Sequence, residues 1–260
     1  MRKVTVVLFI LLSLPICNGQ WIERDNPPHS VIFSSIDFLN SNTGCIGAGN
    51  IFFTSNAGEN WSNVSQGSVN DVIEKIQVFS ENTIYVKSNN AFWKTTNRGQ
   101  NWNSNSSFDQ YMTTFNFTSY NTGYIIGTTG RIFKTTNAGD NWFSLNLNVG
   151  SNLNQIQFVN ENTGFIVGSS PSCILKTTNA GQNWTVNSFD GDGVFGISFI
   201  NNTIGFALRN YNIIMKTTDG GASWDQLSSL SYPVRFIKFT SERTGYLAVT
   251  NVVTIGMISY

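Results

Sequence analysis

The feature that most restricts this chain is a run of residues that returns about every 40 positions. It reads TSNAGENW from Thr54 to Trp61, TTNRGQNW from Thr95 to Trp102 and TTNAGDNW from Thr135 to Trp142. It returns as TTNAGQNW from Thr177 to Trp184 and TTDGGASW from Thr217 to Trp224. Successive tryptophans are 41, 40, 42 and 40 residues apart. A second motif keeps the same step: FLNSNTGCIG from Phe38, VFSENTIYV from Val78, FTSYNTGYIIG from Phe117, FVNENTGFIVG from Phe158, FINNTIGFAL from Phe199 and FTSERTGYLAV from Phe239. Self-similarity at this period marks a stack of like supersecondary units.

One unit parses into four short strands. Leu153 to Phe158 alternates apolar and polar, Asn162-Thr163-Gly164 turns the chain, and Phe165 to Gly168 returns it. Ile174 to Thr177 is a third strand, Asn179 to Gln182 a tight turn, and Trp184 opens the fourth. The 20 Phe, 7 Trp and 8 Tyr favour strands over helices. Four antiparallel strands per 40 residues describe a propeller blade, so the chain is expected to be all-β: a six-bladed β-propeller of four-stranded antiparallel blades.

The repeated run reads as the brace of each blade. Asn56, Asn97, Asn137, Asn179 and Asp219 can bond backbone N–H groups ahead of them. Gly58, Gly99, Gly139, Gly181 and Gly221 can take positive φ. Trp61, Trp102, Trp142, Trp184 and Trp224 pack beside the turns, each contributing up to about 4–6 kcal/mol by area. This is a structural reading, not a catalytic one.

These residues resemble the Asp-box, or BNR, repeat S/T-x-D-x-G-x-T/S-W, with Asn replacing Asp in four of five copies. Asn makes the same turn bond without the charge. With the TG-Y/F-x-x-G motif beside it, the chain resembles the photosystem II assembly and stability factor family and its secreted bacterial relatives. Sialidases and xyloglucan-degrading glycosidases share the box. The resemblance implies a scaffold or assembly role toward another protein at the cell envelope. The family's photosystem role uses an arginine-rich surface, and arginines are few here.

Trp21 lies 40 residues before Trp61, in phase with the box tryptophans. Trp21 to Arg24 is therefore expected to be a fourth strand that joins the last blade, Phe236 to Tyr260, and closes the ring. A truncated chain with a seventh blade is the alternative.

Met1-Arg2-Lys3, the apolar stretch Val4 to Ile16 and a small-residue exit read as a signal peptide over residues 1–19, leaving residues 20–260 as one secreted propeller domain, periplasmic or at the cell surface. The apolar stretch is too short to span a bilayer. Lipid anchoring at Cys17 is the alternative, and bulky Ile16 argues against it. Two of the 15 basic residues, Arg2 and Lys3, leave with this leader, so 13 face 15 acidic residues. That balance speaks against nucleic acid as a partner. Export permits disulfides, yet Cys45 and Cys173 fall at different points of the repeat and read as two separate thiols. With His29 the only histidine and no CxxC pair, no zinc site, other metal or cofactor is expected.

Catalytic sets are hard to assemble. A sialidase needs three converging arginines, and Arg24, Arg98, Arg131, Arg209, Arg235 and Arg243 occupy different places in the repeat. The family's Arg-Ile/Leu-Pro signature is missing. A glycosidase needs two carboxyl groups roughly 5–10 Å apart. Asp37, Glu74, Asp109, Asp190 and Asp192 are candidates, with Asp37 and Glu74 on adjacent first strands. Asp190-Gly191-Asp192-Gly193 is a fragment of a calcium loop without its late Glu, and reads as a loop between blades. Lys94, Lys134, Lys176 and Lys216 share one position, eight residues before each box Trp. They form either an arc that binds an anionic partner or stems laid over apolar surface. The expected activity is non-catalytic binding, by a monomer, of a protein or a glycan. A carbohydrate-active enzyme is the alternative.

Overall fold

The computed structural model describes residues 33–65, 69, 71–89, 91–105, 111–145, 147, 149–249 and 255–259. Trp21 to Arg24, the leader, Cys17, His29 and Asp109 lie outside them. The described chain is β-structure apart from one 3-10 turn, Thr128–Gly130.

Six antiparallel sheets follow one another among the described residues. The first is β1 Ser35–Phe38, β2 Gly44–Gly47, β3 Ile51–Thr54 and β4 Ser62–Asn63. The second is β5 Ile73–Val78, β6 Ile84–Ser88, β7 Phe92–Thr95 and β8 Asn103–Asn105. The third is β9 Met112–Phe117, β10 Gly123–Gly127, β11 Ile132–Thr135 and β12 Phe143–Ser144. The fourth is β13 Asn152–Phe158, β14 Gly164–Ser169, β15 Cys173–Thr177 and β16 Thr185–Ser188. The fifth is β17 Val194–Phe199, β18 Gly205–Arg209, β19 Ile213–Thr217 and β20 Asp225–Ser229. The sixth has three described strands, β21 Val234–Phe239, β22 Thr244–Val249 and β23 Ile255–Ser259. In each, neighbours in sequence are neighbours in the sheet. The chain groups into two compact units, one of Cys17–Ile125 with Phe133–Ser144, the other containing Ile126–Ile132 and Leu145–Tyr260.

Strand order follows polarity. Second strands such as β6 and β10 are buried throughout, β10 as an apolar run and β6 with Lys87 and Ser88 at its end. Fourth strands such as β4 and β12 are only two residues long and exposed, which blunts the edge each sheet presents.

The two repeated motifs keep step because they are bonded to each other. The N–H of Ala57 donates to the Asn42 carbonyl at 2.8 Å, and Arg98 to Asn82, Ala138 to Asn121 and Ala180 to Asn162 each at 2.9 Å. Gly220 donates to Thr203 at 2.8 Å. Inside each run, the Thr hydroxyl accepts from the Gly N–H four residues on, as in Thr177 and Gly181 at 2.9 Å. It also donates to the Asn side chain, Thr177 to Asn179 at 3.1 Å. The Asn oxygen then accepts from the backbone ahead, Asn183 to Asn179 at 2.9 Å. The fifth copy adds a Ser223 hydroxyl donated to Asp219 at 2.6 Å, and these bonds hold the Asp219 carboxyl well below the usual range. Two residues of each turn, not one, are left-handed: Ala57, Arg98, Ala138, Ala180 and Gly220 precede the glycine, with φ from 53 to 70, a region comfortable only to Gly220.

The second motif has its own steric logic. The Phe ending the first strand lies across the Gly opening the second, as in the pairs Phe38 and Gly44, Phe158 and Gly164, and Phe199 and Gly205. A Cβ on Gly205 would sit 2.6 Å from the Phe199 ring, and one on Gly164 2.6 Å from Phe158. Sheet 2 alone replaces both partners, pairing Val78 with Ile84. The freed Phe ring stacks on the preceding sheet: Phe165 with Phe199 at 3.6 Å, Phe206 with Phe239 at 3.6 Å, and Tyr85 with Phe117 at 3.7 Å. Where Val78 supplies no ring, the junction of sheets 1 and 2 is mainly aliphatic, with Ile51, Ile73, Ile76 and Ile84 beside Cys45 and Phe53.

Cys45 and Cys173 are buried free thiols. Burial, then the nearby Asp37 charge, pushes the Cys45 thiol up; burial raises Cys173 against a lowering bond to Ser151. The thiolate is the nucleophile, so neither should react with a thiol-specific maleimide in the native protein while both react in urea. Rapid native labelling of Cys45 would contradict this packing.

Candidate functional site

Polar side chains on the first strands tie sheets 1, 2 and 3 to one another, and sheets 4, 5 and 6 to one another. Asp37 accepts from the Val78 N–H at 2.7 Å, and the Ser35 hydroxyl accepts from Ile76 at 2.9 Å. Gln77 both donates to the Phe117 carbonyl at 2.9 Å and accepts from its N–H at 2.8 Å. Gln155 and Gln157 repeat this two-way bond on Ile197 and Phe199. Ser198 accepts from Phe239 at 2.9 Å. Neighbouring first strands are too far apart to pair directly, so these side chains satisfy backbone groups that would otherwise be orphaned.

This decides the carboxylate candidates. Asp37 is level with Val78, whereas Glu74 stands four residues earlier on β5, about 13 Å along the strand. Asp37 serves as a backbone acceptor, and Glu74 is ion-paired with the buried Lys87. The approach that adjacent strands would allow these two is not made: each is bonded elsewhere. Asp190 and Asp192 are exposed on the loop before β17. The Asp192 N–H donates to Asn210 at 3.0 Å, so that loop is a clasp on the next hairpin. Among the described residues no group of three or more His, Cys, Asp or Glu could hold a metal ion.

The four lysines lie at the motif-turn end of their sheets. Lys134, Lys176 and Lys216 hold their ammonium groups 5.5, 5.9 and 5.7 Å from the rings of Tyr124, Phe165 and Phe206. Cross-strand register explains this, since Lys176 faces Phe165 and Lys216 faces Phe206. Lys94 pairs with Asp140 at 3.0 Å and Lys216 with Glu242 at 3.3 Å. Desolvation lowers the Lys134 pKa.

The opposite end of the sheets holds residues that the repeat did not single out. Each of β5, β13, β17 and β21 has a register shift after its first or second residue, which re-aims one side chain: Glu74, Asn154, Phe195 and Arg235. Glu74 is consumed by Lys87, and Asn154 by Ser169 and the Val194 carbonyl. Phe195 instead stacks on Tyr211, centroids 3.7 Å apart. Arg235 sets its guanidinium over that ring, 5.1 Å from its centroid. Tyr211 and Asn210 form the hairpin tip at φ 63 and 51, a left-handed pair that a bulky ring resists. Tyr232 and Phe236 are half exposed beside Arg235 in the chain. Sequence periodicity missed this group because bulges break the alternation that it reads; the signal present was Tyr211 in the three-residue loop Asn210–Asn212, at a left-handed position where Gly is usual.

Comparison with known proteins was made on this basis. A family model described as photosynthesis system II assembly factor YCF48 matches residues 105–192. A comparison with curated proteins found no match. A structure described as YCF48 bound to D1 peptide is 16% identical with a TM-score of 0.70, covering 92% of this chain and 82% of that one. YCF48 from Cyanidioschyzon merolae is 14% identical with a TM-score of 0.54, covering 92% and 98%. The Niastella koreensis GH74 enzyme is 15% identical with a TM-score of 0.65; the match covers 86% of this chain but only 46% of the enzyme. At these identities the structural likenesses speak for the fold. The sheets, their order and these matches make the chain a BNR-type β-propeller that resembles the photosystem II assembly factor.

Proposed function

We propose that this propeller binds a protein segment without transforming it, outside the cytoplasm to which residues 1–19 would not return it, with the partner engaged at the Phe195–Tyr211–Arg235 end. The observation that carries the reading is the contrast between groups: the best-placed carboxylates serve the fold, whereas at that end Arg235 is exposed over the partly exposed Tyr211–Phe195 stack and has no ion-pair partner among the described residues. Tyr and Arg are among the side chains that dominate binding energy at protein interfaces, and Phe is enriched there. A solved structure of similar fold is described as bound to a peptide, which is consistent with a propeller used this way. The lysines Lys94, Lys134, Lys176 and Lys216, at the other end of their own sheets, are proposed as further anionic contacts, each acting once its ring or acid is displaced.

The opposing reading is a glycoside hydrolase, since a GH74 enzyme shares the fold. Hydrolysis assays on aryl glycosides, run beside peptide and glycan arrays, separate the two. We expect peptide binding and no turnover. Turnover abolished by Asp37→Asn or Glu74→Gln in a still-folded protein would defeat the binding reading.

A further inference from the structure

We infer that Phe195, Tyr211 and Arg235, flanked by Tyr232 and Phe236, form the docking surface for an extended peptide segment that sets a carboxylate beside an apolar side chain. This deepens the protein-binding reading above and rests on it.

Three observations converge. First, Arg235 has no ion-pair partner among the described residues, whereas Lys87, Lys94, Arg98 and Lys216 each have one. Its guanidinium lies over the Tyr211 ring, and such stacking leaves the planar N–H fork free for a carboxylate. The neighbouring Arg209 is not equivalent, because it donates to the Asp190 carbonyl.

Second, the scaffold under this group is rigid. The Asn210 oxygen accepts from Asp192 and Gly193, the Asn210 N–H donates to the Gly193 carbonyl at 2.9 Å, and the Val234 N–H donates to the Tyr211 carbonyl at 2.6 Å. A tip held from both sides keeps Tyr211 in a backbone region that glycine would occupy with less strain, so the ring is retained against local preference.

Third, the surface beside Arg235 is apolar. Phe236 and Tyr232 are each 50% exposed, on the same strand and on the loop that leads to it. Both are rings, and the one cation among them calls for an anion of its own. An acidic residue next to Leu or Phe in an extended chain meets both demands: carboxylate on Arg235, apolar side chain against Phe236. A neutral sugar would leave Arg235 without a counter-charge.

The test is an array of synthetic peptides that permutes Glu, Gln and Lys beside Leu or Phe, followed by fluorescence anisotropy on the best binder. Three variants are compared, Arg235→Gln, Phe236→Ser and Tyr211→Gly. The last suits the left-handed tip and is expected to fold at least as well, read from thermal midpoints. We expect Glu-containing peptides to bind, the Gln versions to bind about tenfold less tightly, and Arg235→Gln or Tyr211→Gly to weaken binding by about the same factor. Added salt should weaken the Glu peptides more than the Gln versions. If peptides bind but none of the variants alters their affinity, this surface is wrong while the protein-binding reading stands. If no peptide binds, and acidic or neutral oligosaccharides do, both readings fall.

Discussion

Alanine at position 99 is expected to cost the protein about 4 kcal/mol, enough to threaten a domain of ordinary stability. Two penalties add. Gly99 has φ 80, which an L side chain resists. A Cβ there would also overlap the Val64 carbonyl oxygen, a backbone atom that cannot rotate away. That oxygen is already the acceptor of the Trp102 indole N–H at 2.8 Å, so pushing it aside breaks the bond that docks this turn on the preceding sheet. Gly49→Ala is the control: its φ is 72, yet nothing lies within 4 Å of the added Cβ. It should cost only the conformational part, about 1 kcal/mol. Urea unfolding of both variants makes the comparison. Equal losses would mean that close packing of the turn on sheet 1 contributes nothing.

Gly205→Ile is expected to lose about 3 kcal/mol, and adding Phe199→Val should return part of that loss. The single change drives a branched side chain into the Phe199 ring, which is fixed between Phe165 on one side and the edge of Trp224. The double change copies a solution the protein already uses, Val78 opposite Ile84. Recovery will be partial, because Phe199→Val also surrenders the stack on Phe165. A double-mutant cycle reads the coupling directly; a favourable interaction of about 1–2 kcal/mol is expected. Strict additivity would show that the ring and the glycine are not sterically linked.

Much of the fold was legible because its determinants are local. Lys176 and Thr177 end a strand and Asn179 to Gly181 turn the chain by bonds within five residues. The strand expected over Leu153 to Phe158 occupies Asn152–Phe158 for the same reason, since alternation is written into adjacent positions. The proposed closing strand, Trp21 to Arg24, lies outside the described residues, and the sixth sheet shows three strands. The site was less legible. Asp37 and Glu74 looked like neighbours because their strands are neighbours, but the offset of four residues along those strands is a matter of register between sheets.

The amino-acid order by itself determined the period, the four-strand unit and the turn chemistry, since each follows from bonds and torsions among residues close in the chain. Only the tertiary structure decided which side chains are spent on holding sheets together and which stay available. Asp37, Gln77 and Gln157 look as free in sequence as Arg235 does. They differ because packing places a backbone amide 40 residues away within reach of the first three, and a tyrosine ring, with no acid, within reach of the last.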